Sequence, residues 1–358
     1  LGLRHAIRPA STVLLFAQGL GQLPFDVAPL RAVPYQLGTD GKPSANHTDL
    51  ELVTTKLRDA RKMMTDSPVF QLVEGFPEIK RLKTDVFRDR VQYSAGLRQK
   101  LTQARREGID AVRAVEQELG AVHDVEAGVV IDLFLSYRAV KGWEDMIALV
   151  QKMPSPLAAT VLVQEQLGLA LNRAGRGIDA ERVLLDLLAN RGPSSETYGI
   201  LGRVYKDRWE AALKLSEKSL ARGLLGQAVE AYLKGFEADW RDAYPGVNAV
   251  TLMEIKDPPD PRRARLIPIV SYAVERRIAS GKPDYWDHAT LLELAVLANE
   301  QQKAEVALAD ALAAVREAWE PETTARNLRL IREARERRKE LIPWTSDVEQ
   351  GLLRRAGQ

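Results

Sequence analysis

Asn172, Arg173, Arg203 and Lys206 are the residues of this 358-residue chain best suited to holding a ligand. An amide and a cation in one repeat, with two cations in the next, could clamp a carboxylate or an acidic peptide through charge-assisted hydrogen bonds. Glu165, Glu196 and Asp207 fall on the same face, so a solvated surface whose acids and bases pair with each other is the competing reading. Little else invites a reaction. There is no cysteine, which excludes thiol nucleophiles, disulfides and zinc ribbons. The four histidines (His5, His47, His123, His288) stand singly, with no HExxH and no pair at helical spacing. Gly19-Leu20-Gly21 lacks the third glycine and following helix of a dinucleotide fingerprint, and no Gly-Lys-Ser/Thr phosphate loop occurs. No cofactor and no metal are expected.

Charge and hydropathy narrow the partners. Lys and Arg number 51 against 49 Asp and Glu, a net charge of +2, so neither nucleic acid nor an anionic membrane is an expected partner. The longest apolar runs, residues 13–17 and 127–131, fall far short of the roughly 20 residues a membrane-spanning helix needs. Leu1-Gly2-Leu3-Arg4-His5-Ala6 has neither the charged start nor the apolar stretch of a secretory signal. A cytoplasmic protein is expected, in a chain that begins inside something longer.

The elements that must position the candidate residues come in two styles. Residues 11–17 form a continuous apolar run bounded by Pro9 and Gly19, which suits a strand buried in a parallel sheet. Residues 30–37 form a second extended segment, and Pro34 inside it argues for a sheet edge. Thr48 and Glu51 then read as a capping box, opening a helix with Leu50, Val53, Leu57, Ala60 and Met64 as its apolar stripe. Residues 1–66 therefore read as about half of an α/β domain, its sheet partners lying before Leu1.

From residue 84 the pattern is helical: Thr84 to Arg106, ending near Gly108, then Asp110 to Leu119. Beyond them an internal repeat appears. Leu133, Leu167 and Leu201 are spaced 34 apart, as are Phe134, Gly168 and Gly202, and Tyr137, Leu171 and Tyr205. Met146, Val150 and Met153 recur as Ala180, Leu184 and Leu187, then as Ala228, Tyr232 and Gly235 after a 14-residue insertion at about 208–222. This is the tetratricopeptide pattern: small residues let antiparallel helices close, and aromatics fill gaps between repeats. Trp209, Trp240 and Trp286 could plug such gaps or mark an exposed binding spot. Residues 246–256 with 266–280, and 285–318, supply further pairs, about five in all. Pro321 starts an arginine-rich helix read as a solvated cap, with a nucleic-acid contact as the lesser alternative.

The stretch Ser195-Glu-Thr-Tyr-Gly-Ile-Leu-Gly-Arg-Val-Tyr-Lys-Asp207, followed by Ala228-x-x-x-Tyr232 and Gly246-Val-Asn-Ala249, resembles the central regulatory region of the apoptosis signal-regulating kinases. That region is the TRAF-binding domain of MAP kinase kinase kinases, here in a bacterial form, and the resemblance covers roughly residues 125–335. A Gly-rich loop with its lysine, a His-Arg-Asp loop and an Asp-Phe-Gly are all missing, so it implies a scaffold, not a kinase. The start, Leu1-Gly2-Leu3-Arg4-His5-Ala6, is similar to the segment after the catalytic glutamate of nucleoside deoxyribosyltransferases and TIR-like domains. The resemblance implies a glutamate just before Leu1, with Gly2, His5 and Asp26 as a remnant nucleotide site; a solvated helix-end histidine and a turn-forming aspartate are the plainer readings.

The expected organisation is a partial α/β (Rossmann-like) domain at 1–66, a helical connector at 67–122, a tetratricopeptide-like superhelix at 123–342 and a tail at 343–358. The expected function is a non-enzymatic signalling scaffold that binds a protein partner or itself and controls an attached effector domain. The alternative is a parent enzyme that cleaves an N-glycosidic bond in a nucleoside or NAD.

Overall fold

A computed structural model describes residues 12–18, 32–44, 46–62, 67, 84–281 and 283–357, the side chains of 84–92 excepted. The chain divides into two units, residues 1–92 and 93–358.

In the first unit β1 (Leu15–Ala17) and β2 (Val33–Tyr35) pair in parallel, with Leu15 opposite Val33 and Ala17 opposite Tyr35. Both are shorter than the apolar runs that predict them, and Pro34 sits in β2 opposite Phe16. Helix α1 (His47–Lys62) follows, tied to β2 by the Gln36 N–H donating to Asp49 Oδ2 at 2.8 Å. Its cap differs from the expected box. Asn46 Oδ1 accepts the Thr48 N–H at 3.0 Å and the Asn46 carbonyl accepts from Leu50, so the amide two residues earlier does the capping. The expected stripe differs as well: Leu50 is 66% exposed and Leu57 is exposed, while Ala60 is buried.

The second unit begins inside α2 (Thr84–Glu107), which is followed by α3 (Ile109–Leu119). Gly108 turns the chain between them at φ 112°, a conformation that favours glycine. After a 3₁₀ turn (Val122–Asp124) come helix pairs: α4 (Ala127–Ala139) with α5 (Trp143–Lys152), and, past the short α6 (Ser155–Ala158), α7 (Val161–Arg173) with α8 (Gly177–Arg191). Then follow α9 (Ser195–Lys214) with α10 (Lys218–Ala238), α11 (Ala243–Ile255) with α12 (Arg263–Ser280), α13 (Tyr285–Leu297) with α14 (Gln301–Ala313), and α15 (Trp319–Arg337) with α16 (Trp344–Ala356). The unit is a mainly helical, tetratricopeptide-like repeat superhelix.

Among the described residues this makes six pairs rather than about five. The helix expected as a cap and the residues expected as a tail form the sixth. Its α16 buries Val348 and Leu352 and packs on α14 and α15. The starts of α13 and α15, Tyr285 and Trp319, keep the 34-residue period of the starts of α4, α7 and α9.

Close packing explains the repeat residues. A Cβ on Gly168 would lie 2.8 Å from Leu184, and one on Gly202 would lie 2.7 Å from the Tyr232 ring. The first pair has Phe134 and Val150 at the same two positions, both buried. As the first-helix residue loses volume, its second-helix neighbour gains it, which keeps the interior filled. The insertion does not loop out into a groove. It lengthens both helices of one hairpin, α9 and α10 running 20 and 21 residues against 13 and 15 for α7 and α8. Trp209, Ala212, Ala221 and Leu224 are buried in the added turns.

Candidate functional site

First helices of successive pairs, α9, α11, α13 and α15, surround a cavity of about 610 Å³, with Arg173 of α7 and Arg277 of α12 at its edge. The cavity exists because α15 packs on α11 as well as on its neighbour α13. Its side chains reach further, to α9: Lys206 Nζ donates to Asn327 Oδ1 at 3.3 Å, and Arg326 donates to Glu210 at 2.7 Å. Deeper along α15, Arg335 donates to Glu254 at 2.9 Å and to the carbonyls of Val296 and Leu297 at 3.0 and 2.9 Å. Arg338 adds a second bond to Glu254 at 2.6 Å, and Arg329 and Arg332 hold Glu349 at 2.6 and 3.1 Å. Much of the basic run is therefore not the solvated cap face that its composition suggests. Acids on α9, α11 and α16, with the open carbonyls at the end of α13, draw these arginines inward.

The four candidate residues divide into two kinds. Asp207 engages Asn172, which donates at 2.7 Å, and Arg203, whose Nε lies 2.8 Å away. Arg173 is exposed at the rim and has no hydrogen bond or ion pair among the described residues. Lys206 is 3% exposed, lines the cavity, and has no carboxylate within ion-pair distance among the described residues. Burial holds its pKa below the ordinary value, and nearby Arg203 adds to the effect. Of the acids on this face, Glu165 accepts the Thr197 hydroxyl at 2.6 Å; burial pushes the Glu196 carboxyl up, helped by Glu165 and Asp242. Gly2, His5 and Asp26 lie outside the described residues.

Several lining residues carry no signal in the repeat register. Glu293 is buried at the floor, accepting from the Thr251 hydroxyl and from Asn327 Nδ2, the latter at 3.3 Å. Burial pushes its pKa up, against those two hydrogen bonds and the pull of Lys206. Arg277 pairs with Asp287 at 2.9 Å, while Asp287 completes the capping box of α13 with Asp284. Tyr244, Trp286 and Trp319 line the cavity, the two indoles packed together with centroids 5.6 Å apart and tilted by 38°. The three tryptophans singled out in the sequence thus have three fates: Trp209 buried, Trp240 exposed, Trp286 at the cavity. Such a site can capture an anion and pack a flat apolar group. Among the described residues no group of three or more metal-binding side chains occurs, and no helix is long and apolar enough to cross a membrane.

Paired helices on a 34-residue period, with first helices lining the cavity, define a helical-repeat protein of the tetratricopeptide type. The family can be stated as well. The MAP3K TRAFs-binding domain matches residues 1–350, and the chain belongs to that family. The matched span includes residues 1–66, which the sequence alone sets apart as similar to a deoxyribosyltransferase or TIR-like domain. A curated relative, mitogen-activated protein kinase kinase kinase nsy-1 of Caenorhabditis elegans, is 27% identical over 219 residues, 56% of this chain and 14% of that protein's length. Among solved structures, a thermophilic TPR protein of Thermus thermophilus aligns with TM-score 0.43 and 14% identity, covering 57% of this chain and 99% of that one. A tetratricopeptide repeat protein of Parabacteroides merdae aligns with TM-score 0.40 and 11% identity, covering 76% and 99%. Family and fold together support a role in regulated protein interaction.

Proposed function

We propose that this chain is a protein-interaction module whose concave rim docks an acidic segment of a partner protein, in the cytoplasm, and thereby controls an attached signalling effector. The carrying observation is Arg173, an exposed cation without a partner among the described residues, standing beside Asn172 and Arg203 at the mouth of a cavity edged by Arg277 and Arg326. An acidic segment laid across this rim would complete the charge that the fold leaves open, while Lys206 supplies positive potential from below. Asn172 and Arg203, held in place by Asp207, present a preset surface rather than free side chains. The family name, which speaks of binding TRAFs, is consistent with a partner protein at this surface.

Fluorescence anisotropy with a fluorescein-labelled Glu/Asp-rich peptide, against its Gln/Asn counterpart, tests the reading. The acidic peptide should bind more tightly, and Arg173→Glu should weaken it about tenfold, a loss of roughly 1.4 kcal/mol. Equal binding of both peptides, or an unaffected Arg173→Glu variant, would overturn it.

A further inference from the structure

We infer that the cavity closed off by α15 is a site for a small anionic ligand, a phosphate or carboxylate group carried on an aromatic or apolar body. The inference goes beyond the docking surface: a partner segment engages the rim, and this ligand sits beneath it.

Lys206 is the starting point. An ammonium group brings three donors, and this one, 3% exposed, makes a single bond among the described residues, to Asn327 at 3.3 Å. Burying a charge is unfavourable unless it is paired and hydrogen-bonded, so a cation left this way beside a cavity marks the place of a missing anion. The neighbouring acids do not fill that role. Glu293 is satisfied by Thr251 and Asn327, Glu210 by Arg326, and Asp287 by Arg277 and the N-terminus of α13. Burial also pushes Glu293 towards its neutral form.

The rest of the cavity describes the ligand's body. Trp286 and Trp319 are 36% and 54% exposed, and with Tyr244 they line the same cavity as Lys206, which gives a flat apolar group something to pack on. The volume, about 610 Å³, lies within the roughly 300–1,000 Å³ of small-molecule sites. The Asn327 and Arg326 contacts to α9 make α15 one wall of the cavity, an enclosure that suits a compact molecule better than an extended peptide.

Titration calorimetry on the whole chain tests this with phenyl phosphate and phenylacetate as aromatic anions, inorganic phosphate and acetate as bare anions, and benzyl alcohol as a neutral ring. The aromatic anions should bind about tenfold more tightly than the bare ones, and the tighter of the two identifies the head group. Lys206→Met should weaken them at least about tenfold while leaving the melting temperature unchanged or raised, because it removes a buried charge that lacks a counter-ion. Lys206→Gln, which keeps a donor for Asn327, should show the same loss and serves if the methionine variant does not fold. No binding to the wild-type chain, undiminished binding in the folded Lys206 variant, or benzyl alcohol binding as well as the anions would overturn the inference. Because Arg173→Glu and an acidic peptide test the rim separately, either reading can fail while the other stands.

Discussion

Replacing Gly202 by alanine adds one methyl group where two helices of a repeat pack directly against each other. The new carbon would meet three atoms of the Tyr232 ring at 2.7–2.8 Å, closer than real Cβ contacts come. The ring has little room to retreat, being fully buried and edge-on to Tyr244 with centroids 6.1 Å apart. Overpacking of this kind costs about 1–3 kcal/mol, and three close atoms place it near the upper end. Alanine returns about 1 kcal/mol through its better helix propensity. The net expectation is a loss of about 2 kcal/mol, or roughly 4–8 °C in melting temperature for a unit of this size. Gly223→Ala, on the partner helix α10, is the internal control: a Cβ there meets nothing within 4 Å, so the same substitution should stabilise by about 1 kcal/mol. Urea unfolding followed by far-UV circular dichroism gives both values. In the double-mutant cycle with Tyr232→Ala the penalty at Gly202 should largely disappear, since the ring causes it. A Gly202→Ala chain as stable as wild type would refute the placement of this hairpin.

Two further perturbations address how α15 and the α11–α12 loop are held. Glu254→Ala removes a carboxylate, 1% exposed, that serves Arg335 at 2.9 Å, Arg338 at 2.6 Å and Arg263 at 3.0 Å. Leaving buried guanidinium groups uncompensated should cost about 3–5 kcal/mol, and an unchanged melting temperature would show that α15 is anchored elsewhere. Asp260, buried in the loop before α12, is held well below the usual carboxylate range by Arg262, with Lys256 assisting against the opposing effect of burial. Because its folded pKa is depressed, its contribution is present above the unfolded value of about 4 and disappears as pH falls below that value through the folded one. The stability gap between wild type and Asp260→Asn should therefore shrink between neutral pH and about pH 3, and a constant gap would contradict the assignment.

What could be read from the sequence was what repeats locally. Gly168 and Gly202 with their large partners Leu184 and Tyr232 follow the register that periodicity provides, and the helix boundaries around them came with it. Length changes are harder. Fourteen extra residues look the same in a repeat register whether they loop out or extend a hairpin, and only the burial of Trp209, Ala212, Ala221 and Leu224 decides it. At α1 two good capping residues stand two positions apart, and the sequence pattern favours Thr48 where the backbone uses Asn46. The cavity was half legible. Arg173, Arg203 and Lys206 come from adjacent repeats, whereas Asn327 meets Lys206 across 121 residues and Arg335 meets Glu254 across 81. In a chain that is 28% charged, an arginine has many acids to choose from, and nothing in its neighbours names the one it takes.

The reach of α15 back to α9 changes what kind of object the second unit is. A stack in which each pair touches only its neighbours can fray from either end, one pair at a time. Here the last pair is fastened to the third, so the final four are closed on themselves and should open together, as a single cooperative block. The closure demands contacts far apart in the chain, which slows folding relative to a simple solenoid. Proteolysis or truncation ahead of α15 would not merely shorten such a protein; it would remove a wall of the cavity and release the tie between the last pair and the third.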